Sequence, residues 1–375
     1  MDNNGFFNEI KGRFGFGCMR LPMKDKEVDL GQFSLMADEF IEAGFNYFDT
    51  AHGYINGKSE LAIKECVAKR HDRSEFLLTD KLTGSYFEKE EDIIPFFESQ
   101  LEACGVEYFD FYLMHAQNRK NYVKFKECRA YETAAELKRQ GRIKHFGLSF
   151  HDSAETLDMI LSEHPEVDVV QIQFNYLDYL DPSVDSKGVY EVCVRHNKPV
   201  IVMEPVKGGS LANLPEEAAA LLDGLGGGSN ASYAIRFAAG FENVCMILSG
   251  MSDLAQMRDN LSYARDFAPL SSRESAALEE VRAIVRARTV VPCTDCRYCV
   301  EQNKCPRNIP IPDIFELLNA QNSFRNFDGK RRYGWYTGNR GRASDCIRCG
   351  RCEKVCPQQI EIRRMLMKAS EAFED

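Results

Sequence analysis

The chain has 375 residues, 28% of them charged and 44% hydrophobic, with a net charge of −10. That length supports a large core plus a satellite domain, and the acidic balance argues against nucleic acid as a partner. No stretch reaches the ~20 apolar residues needed to span a bilayer, so no membrane association is expected.

The N-terminal MDNNGFFNEIKGRFGFG lacks the apolar centre of a secretory leader. Fourteen cysteines in a chain this long, with no leader, point to a reducing cytoplasmic location rather than to disulfides. Charge is placed unevenly. Residues 1–285 hold 30 Lys+Arg against 46 Asp+Glu, net −16, and residues 286–375 hold 17 against 11, net +6. A basic C-terminal segment of this kind suits an acidic redox partner protein.

In chain order, short apolar runs end near Phe16, Asp49, Lys81, His115, Ser149, Asn175, Val206 and Gly250. Amphipathic stretches lie between them, among them Gln32–Ala43, Ser59–Lys69, Ile93–Ala103, Tyr131–Arg139 and Ser153–Glu163. Later ones follow at Gly188–His196, Ser229–Ala239 and Asp253–Asp266. Eight strand–helix repeats at a pitch of about 30 residues call for parallel strands with helical crossovers, at the size of a closed (β/α)8 TIM barrel. The rival is an open doubly wound sheet. It is disfavoured because Gly15-Phe16-Gly17 continues as Cys18-Met19-Arg20 and does not complete a Gly-x-Gly-x-x-Gly turn. The barrel is expected over residues 1–270, a charged linking helix over 271–290, and a small iron–sulfur domain over 291–375.

Chemistry in a TIM barrel sits at the C-terminal ends of the strands. There the second predicted strand delivers Asp49, with Tyr54 in the loop after it, the third Lys81 and the fourth His115. Singly, each of these is more often a cap, a surface ring, a solvated amine or a core histidine. Their placement on one rim marks a candidate active site.

These residues match a known pattern. Asp49-Thr50-Ala51-His52-Gly53-Tyr54-Ile55-Asn56-Gly57-Lys58-Ser59-Glu60 closely resembles the aldo/keto reductase signature, and Lys81 and His115 fall where that family places its lysine and histidine. The resemblance extends over roughly residues 10–270, to the branch with a C-terminal ferredoxin-like extension. It implies hydride transfer between NADP or NAD and a small-molecule carbonyl or alcohol. Tyr54 would be general acid/base, Lys81 would tune the phenol downward, Asp49 would hold Lys81, and His115 would orient the substrate oxygen. By the same resemblance Ser149 and Gln171 bind the nicotinamide carboxamide, with Asn175 nearby. Met203 stands where relatives place an aromatic ring. Gly250, Ser252, Gln256 and Asn260 fall in the phosphate-binding region, where Arg258 is a further candidate.

The tail carries two cysteine runs, Cys293-x2-Cys296-x2-Cys299-x5-Cys305-Pro306 and Cys346-x2-Cys349-x2-Cys352-x3-Cys356-Pro357. In two-cluster ferredoxins the fourth cysteine of each run serves the other cluster. Crossing over gives one [4Fe–4S] set on Cys293, Cys296, Cys299 and Cys356, and a second on Cys346, Cys349, Cys352 and Cys305. Zinc, with its tetrahedral sulfur set, is the disfavoured alternative. Cys18, Cys66, Cys104, Cys128, Cys193 and Cys245 read as packing residues. Between the runs Ile311–Asn319 is predicted helical, followed by Phe324, Phe327, Tyr333, Trp335 and Tyr336, aromatics expected to bury area by packing, with a lid over the barrel mouth as the alternative. A rival functional reading makes the barrel a docking platform, with the clusters relaying electrons and the four strand-end residues unused.

Overall fold

Strand alternation is the simplest cause of the architecture. In a computed structural model, which describes residues 5–182, 184–291, 293, 298–301, 305–323, 327–356 and 360–374, one strand holds Leu77 in the barrel interior while its neighbours Leu78 and Leu82 face the surrounding helices. Eight such strands are β1 (Phe14–Gly17), β4 (Tyr47–Asp49), β5 (Leu77–Leu82), β6 (Phe109–Gln117), β7 (Ile143–Phe150), β8 (Val169–Gln173), β9 (Val200–Met203) and β10 (Val244–Gly250). They pair in parallel and in chain order, and β10 returns to β1, so the sheet closes as the expected TIM barrel. A short hairpin of β2 (Met23–Lys24) and β3 (Glu27–Val28) was not legible in the sequence.

The crossover helices are α1 (Leu30–Glu42), α2 (Lys58–Ile63), α3 (Ile93–Cys104), α4 (Arg119–Glu127), α5 (Ala130–Arg139), α6 (Ala154–Glu163) and α7 (Ser186–Arg195). Next come α8 (Glu216–Asp223), α9 (Asn230–Ala239) and α10 (Leu254–Ala264). Side chains fix several starts: Asp29, Asn118, Ser153 and Asp253 each accept the backbone N–H three residues on. Two helices, α4 and α8, were not anticipated. Arg-Lys-Asn-Tyr-Val-Lys-Phe-Lys-Glu has only Tyr122 and Phe125 as buried anchors, too few to register as an apolar stripe.

Tyr47, Phe111, Leu113, Val169, Ile201 and Met246 fill the barrel, with Phe7 edge-on to Phe111 at 5.1 Å. Gly147 is required there, because a Cβ would meet the Val169 carbonyl oxygen at 2.6 Å.

The chain divides into two compact units, Met1–Gly208 with Ala231–Leu270 and Gly209–Asn230 with Ser271–Asp375. In the second unit α8 packs on α11 (Ser272–Ala287), and Arg288 pairs with Glu217 at 2.9 Å. A Ser271/Glu274 capping box starts α11. Four further elements follow: α12 (Tyr298–Glu301), α13 (Ile311–Ser323), α14 (Gly329–Thr337) and α15 (Arg351–Lys354). The last helix is α16 (Ile362–Phe373), and α13, α14 and α16 pack on one another around a separate apolar core. Tyr333 is buried and stacks on Phe373 at 5.2 Å, but Trp335 is 77% exposed, against the expectation that these aromatics bury area. Phe324 lies outside the described residues.

Candidate active site and cysteine sites

The alternation that turns Leu77 inward also brings Lys81, two pairs further on, into the barrel mouth. Its Nζ lies 2.6 Å from Asp49 Oδ1 and 2.7 Å from the Thr50 carbonyl, and sits 5.0 Å from the centre of the Tyr54 ring. Lys81 is fully buried and Asp49 nearly so, so this ion pair is little screened by water. Tyr54 and His115 meet edge-on with ring centres 6.1 Å apart. The four strand-end residues therefore share one mouth.

Two backbone irregularities aim them. β6 shifts register between Met114 and Gln117, with Ala116 at φ 52°, a bulge that redirects His115. After Tyr54 three residues run left-handed: Ile55 at φ 51°, Asn56 at φ 56° and Gly57 at φ 82°. The left-handed region is costly for a β-branched Ile, so the turn presenting Tyr54 is held under strain.

Burial pushes the Tyr54 hydroxyl above its ordinary value; the Lys81 cation pulls it back and the Asp49 charge raises it again. The expected downward tuning by Lys81 is thus outweighed by desolvation, and Tyr54 is a firmly protonated phenol. Burial also works against the Lys81 charge, yet Asp49 holds its pKa above the usual lysine value. His115 is lowered to about 3 by burial and then by Lys81, which makes it a neutral imidazole. Sequence reasoning missed Thr83, whose Oγ1 lies 2.7 Å from His115 Nδ1 and orients the ring. The period-two alternation from Lys81 to Thr83 was the signal that would have found it.

The expected cofactor residues divide. Ser149, buried, accepts the Ala116 N–H at 3.1 Å. Gln171, also buried, donates to Asp49 Oδ2 at 2.9 Å, which joins it to the Lys81 ion pair. Asn175 is committed inside the protein. Its amide donates to Asp178 Oδ2 and the Glu204 carbonyl, and its oxygen accepts the Leu177 and Asp178 N–H groups. Met203 and Gly250 end β9 and β10, both partly exposed. Ser252 donates to the Arg20 carbonyl, and Gln256 accepts the Ser252 N–H. Asn260 donates to Ser249. Arg258 is bound to Glu39 through two contacts, at 2.6 and 2.9 Å.

In the second unit Cys305, Cys346, Cys349 and Cys352 line one cavity, together with Ile309, Ile311 and Leu366. Four sulfurs on an apolar floor are the donor chemistry a [4Fe–4S] cluster needs, so the residues present fit that group. The five-residue gap before Cys305 does not keep it from this set. Cys299 is buried, and Cys293 and Cys356 are partly buried against the same apolar core. α12, which carries Cys299, packs on α15, which carries Cys352. Cys296 lies outside the described residues. The other six cysteines are all buried.

A profile of the aldo/keto reductase family matches residues 13–283, and one of a 4Fe-4S dicluster domain matches residues 292–361. The chain is 28% identical over 187 residues to a 4-dihydromethyl-trisporate dehydrogenase of Mucor mucedo, covering 43% of this chain and 55% of that one. It is 27% identical over 164 residues to an NADH-specific methylglyoxal reductase of Escherichia coli, covering 38% and 48%. The chain thus spans about half the length of the curated relatives it matches. Among solved structures, an aldo-keto reductase of Klebsiella pneumoniae in complex with NADPH superposes with a TM-score of 0.59 at 17% identity, covering 72% of this chain and 90% of that one. The holo form of an aldo-keto reductase of Bacillus halodurans gives 0.58 at 22%, covering 72% and 92%. At those identities the likeness carries the fold alone. The match over most of the chain's length carries the kinship: the protein belongs to the aldo/keto reductase family and bears a C-terminal 4Fe-4S dicluster domain.

Proposed function

We propose that the protein is a cytoplasmic NAD(P)H-dependent carbonyl oxidoreductase with two [4Fe–4S] clusters in its C-terminal domain. The observation that carries this reading is the shared mouth in which buried Lys81, paired with Asp49, lies under the Tyr54 ring beside a neutral His115. A nicotinamide, when bound, supplies or accepts the hydride. Ser149 and Gln171, polar groups on neighbouring strands at this mouth, fit a carboxamide. His115 would hydrogen-bond the substrate oxygen. Tyr54, kept protonated by its burial, would hand its proton to that oxygen as negative charge develops there. Lys81 would then steady the phenolate left behind.

Cys305, Cys346, Cys349 and Cys352 would hold one cluster, and Cys293, Cys296, Cys299 and Cys356 the other. The rim of the first cavity includes exposed Arg307 and Arg351 beside Ile347, which is 60% exposed. That rim suits an acidic one-electron partner protein.

The test is anaerobic NAD(P)H oxidation against a panel of carbonyls, with Tyr54→Phe and Lys81→Met as controls. Tyr54→Phe keeps the ring and loses the proton, so turnover should fall by at least ~10²-fold while nicotinamide binding survives. Carbonyl reduction by Tyr54→Phe at the wild-type rate defeats the assignment.

A further inference from the structure

The alternation that turns Lys81 into the barrel turns its neighbour Asp80 outward, into the layer between β5 and helices α2 and α3. Asp80 is fully buried there, and so is Glu60 of α2. One oxygen of each carboxyl and the Cys104 sulfur of α3 lie within 4.8 Å of one another. Among the described residues, no Lys or Arg side chain forms a hydrogen bond or ion pair with either carboxyl.

Their partners define a small network. Glu60 Oε2 lies 2.8 Å from His52 Nδ1. Gln100 donates to Glu60 Oε1 at 3.4 Å and to the Lys81 carbonyl at 3.1 Å, and accepts the Tyr112 hydroxyl at 2.6 Å. Asp80 Oδ1 accepts the Lys81 N–H at 2.7 Å, and Cys104 donates to Asp80 Oδ2 at 3.6 Å. The network therefore grips Lys81 from behind at both its peptide N–H and its carbonyl.

Two carboxyl groups this close in a dry layer cannot both ionise, and they titrate as a pair around a shared proton. We propose that Glu60 and Asp80 share one proton and act as a pH-dependent clamp on Lys81, with His52 as the end nearest solvent. They are positioning residues: neither touches the mouth, and both act through the strand that carries Lys81.

The titratable groups facing the pair are known from every side. His52, with 29% of its side chain exposed, comes from the loop after β4, and Lys81 comes from β5. Cys104 comes from α3 and Tyr112 from β6, and Cys18 lies beyond Cys104. Burial pushes the Cys104 thiol and the Tyr112 phenol well up, so both stay neutral hydrogen-bond formers. Burial raises Glu60 to about 7 and Asp80 well above its ordinary value, the latter also through the Glu60 charge. Loss of the shared proton leaves two adjacent buried anions. Their repulsion loosens the hold on Lys81 and, through it, on Asp49 and Tyr54.

The sign for stability follows. From about 4.5, the ordinary Glu60 value, to about 7, the folded pair keeps a proton that the unfolded chain has released. Stability therefore falls as pH rises through that window.

The test combines infrared difference spectroscopy with unfolding on the full, cluster-loaded chain, comparing wild type, Asp80→Asn and Glu60→Gln. Wild type should show a protonated-carboxyl stretch at mildly acidic pH that fades on alkalinisation. In each variant the band should change in position or in the pH at which it fades, since one of its two carboxyls is gone, and the pH dependence of the melting temperature should flatten. If Asp80→Asn fails to fold, Glu60→Gln carries the comparison. A wild type without the band, a band unchanged in both variants, or one equivalent of a metal ion bound at Cys104 overturns the pair.

The kinetic arm alone rests on the function proposed above. With a reducible carbonyl, wild-type kcat should drop as the band fades, with KM unmoved, and Glu60→Gln should lose that limb. Steady kcat in a wild type whose band does fade overturns the clamp. Absence of any carbonyl reduction counts against the function and leaves the spectroscopic arm to decide the pair.

Discussion

Gln171 donates to one oxygen of the Asp49 carboxylate at 2.9 Å while Lys81 Nζ holds the other at 2.6 Å, so both oxygens are committed. A residue expected at the cofactor is thus also a brace for the ion pair, reaching from β8 to β4 across the barrel. Carboxylates bound on both sides lose the freedom to swing, and Lys81 inherits that rigidity. In the proposed reaction the position of Lys81 sets how well a phenolate at Tyr54 is stabilised.

That dual role gives a distinguishing expectation for Gln171→Leu. The hydrogen bond lost is to a charged group, at about 1.5–3 kcal/mol, so kcat for carbonyl reduction should fall by roughly 10- to 100-fold. A residue serving the nicotinamide alone would weaken cofactor binding and spare the rate of the bound complex. Single-turnover rates at saturating NADPH separate the two. An unchanged rate there would remove the brace from the scheme.

His115 gives a pH signature. Its folded value of about 3 lies below the ordinary 6.5, so the unfolded chain takes up a proton in that window that the folded chain refuses. Stability should therefore drop as pH falls from about 6.5 toward about 3. His115→Phe should remove that component, which is read from urea unfolding midpoints at a series of pH values. Because the folded imidazole stays neutral, carbonyl reduction should have no acid limb from this residue at mildly acidic pH. A limb near 6.5 that disappears in the His115 variant would contradict the assignment.

The barrel and the placement of its strand-end residues were legible because both follow from period. Alternating apolar runs at a steady pitch specify parallel strands, and the polar residue ending each run falls at the mouth. The direction of the Tyr54 shift was not legible. Proximity of a lysine can be read from a sequence, but the desolvation that outweighs it depends on how deeply the fold encloses the hydroxyl. The surroundings of Asn175 were not legible for a related reason. Position on the strand suggested the cofactor, whereas the loop that follows folds back and takes all of its hydrogen-bonding capacity. Arg258 shows the same limit, since a helical position does not reveal that Glu39, more than 200 residues earlier, is its partner. Asp80 gave no signal at all, because one buried acid looks like any other strand residue until Glu60 is brought beside it.

Asn175 is accordingly expected to matter for stability. Asn175→Ala strands two backbone N–H donors and removes one donor to the Asp178 carboxylate, a loss of about 2–4 kcal/mol. Nicotinamide affinity, measured by fluorescence titration on the folded fraction, should stay within about twofold of wild type. A large loss of affinity with an unchanged melting temperature would return Asn175 to the cofactor.

The cysteine sets lead to the last expectation. The cavity lined by Cys305, Cys346, Cys349 and Cys352 and the second set on Cys293, Cys296, Cys299 and Cys356 call for about eight iron and eight sulfide per anaerobically purified chain on the two-cluster ligand count. Four iron, or stoichiometric zinc, would sink that count. Cys349→Ser should remove one cluster and weaken the second unit, because thiolate ligation contributes to its folding. Electron flow is a separate matter. Hydride transfer moves two electrons together and each cluster passes one, so direct exchange needs a converter such as a flavin. NADPH added anaerobically to flavin-free protein should therefore leave the clusters oxidised, with no reduced-cluster EPR signal. A low-potential, acidic one-electron donor protein should reduce them, and Arg307→Glu with Arg351→Glu should slow that reduction and flatten its dependence on salt. Rapid reduction by NADPH alone would mean that the clusters take electrons from the barrel's own chemistry, and the partner reading would fall.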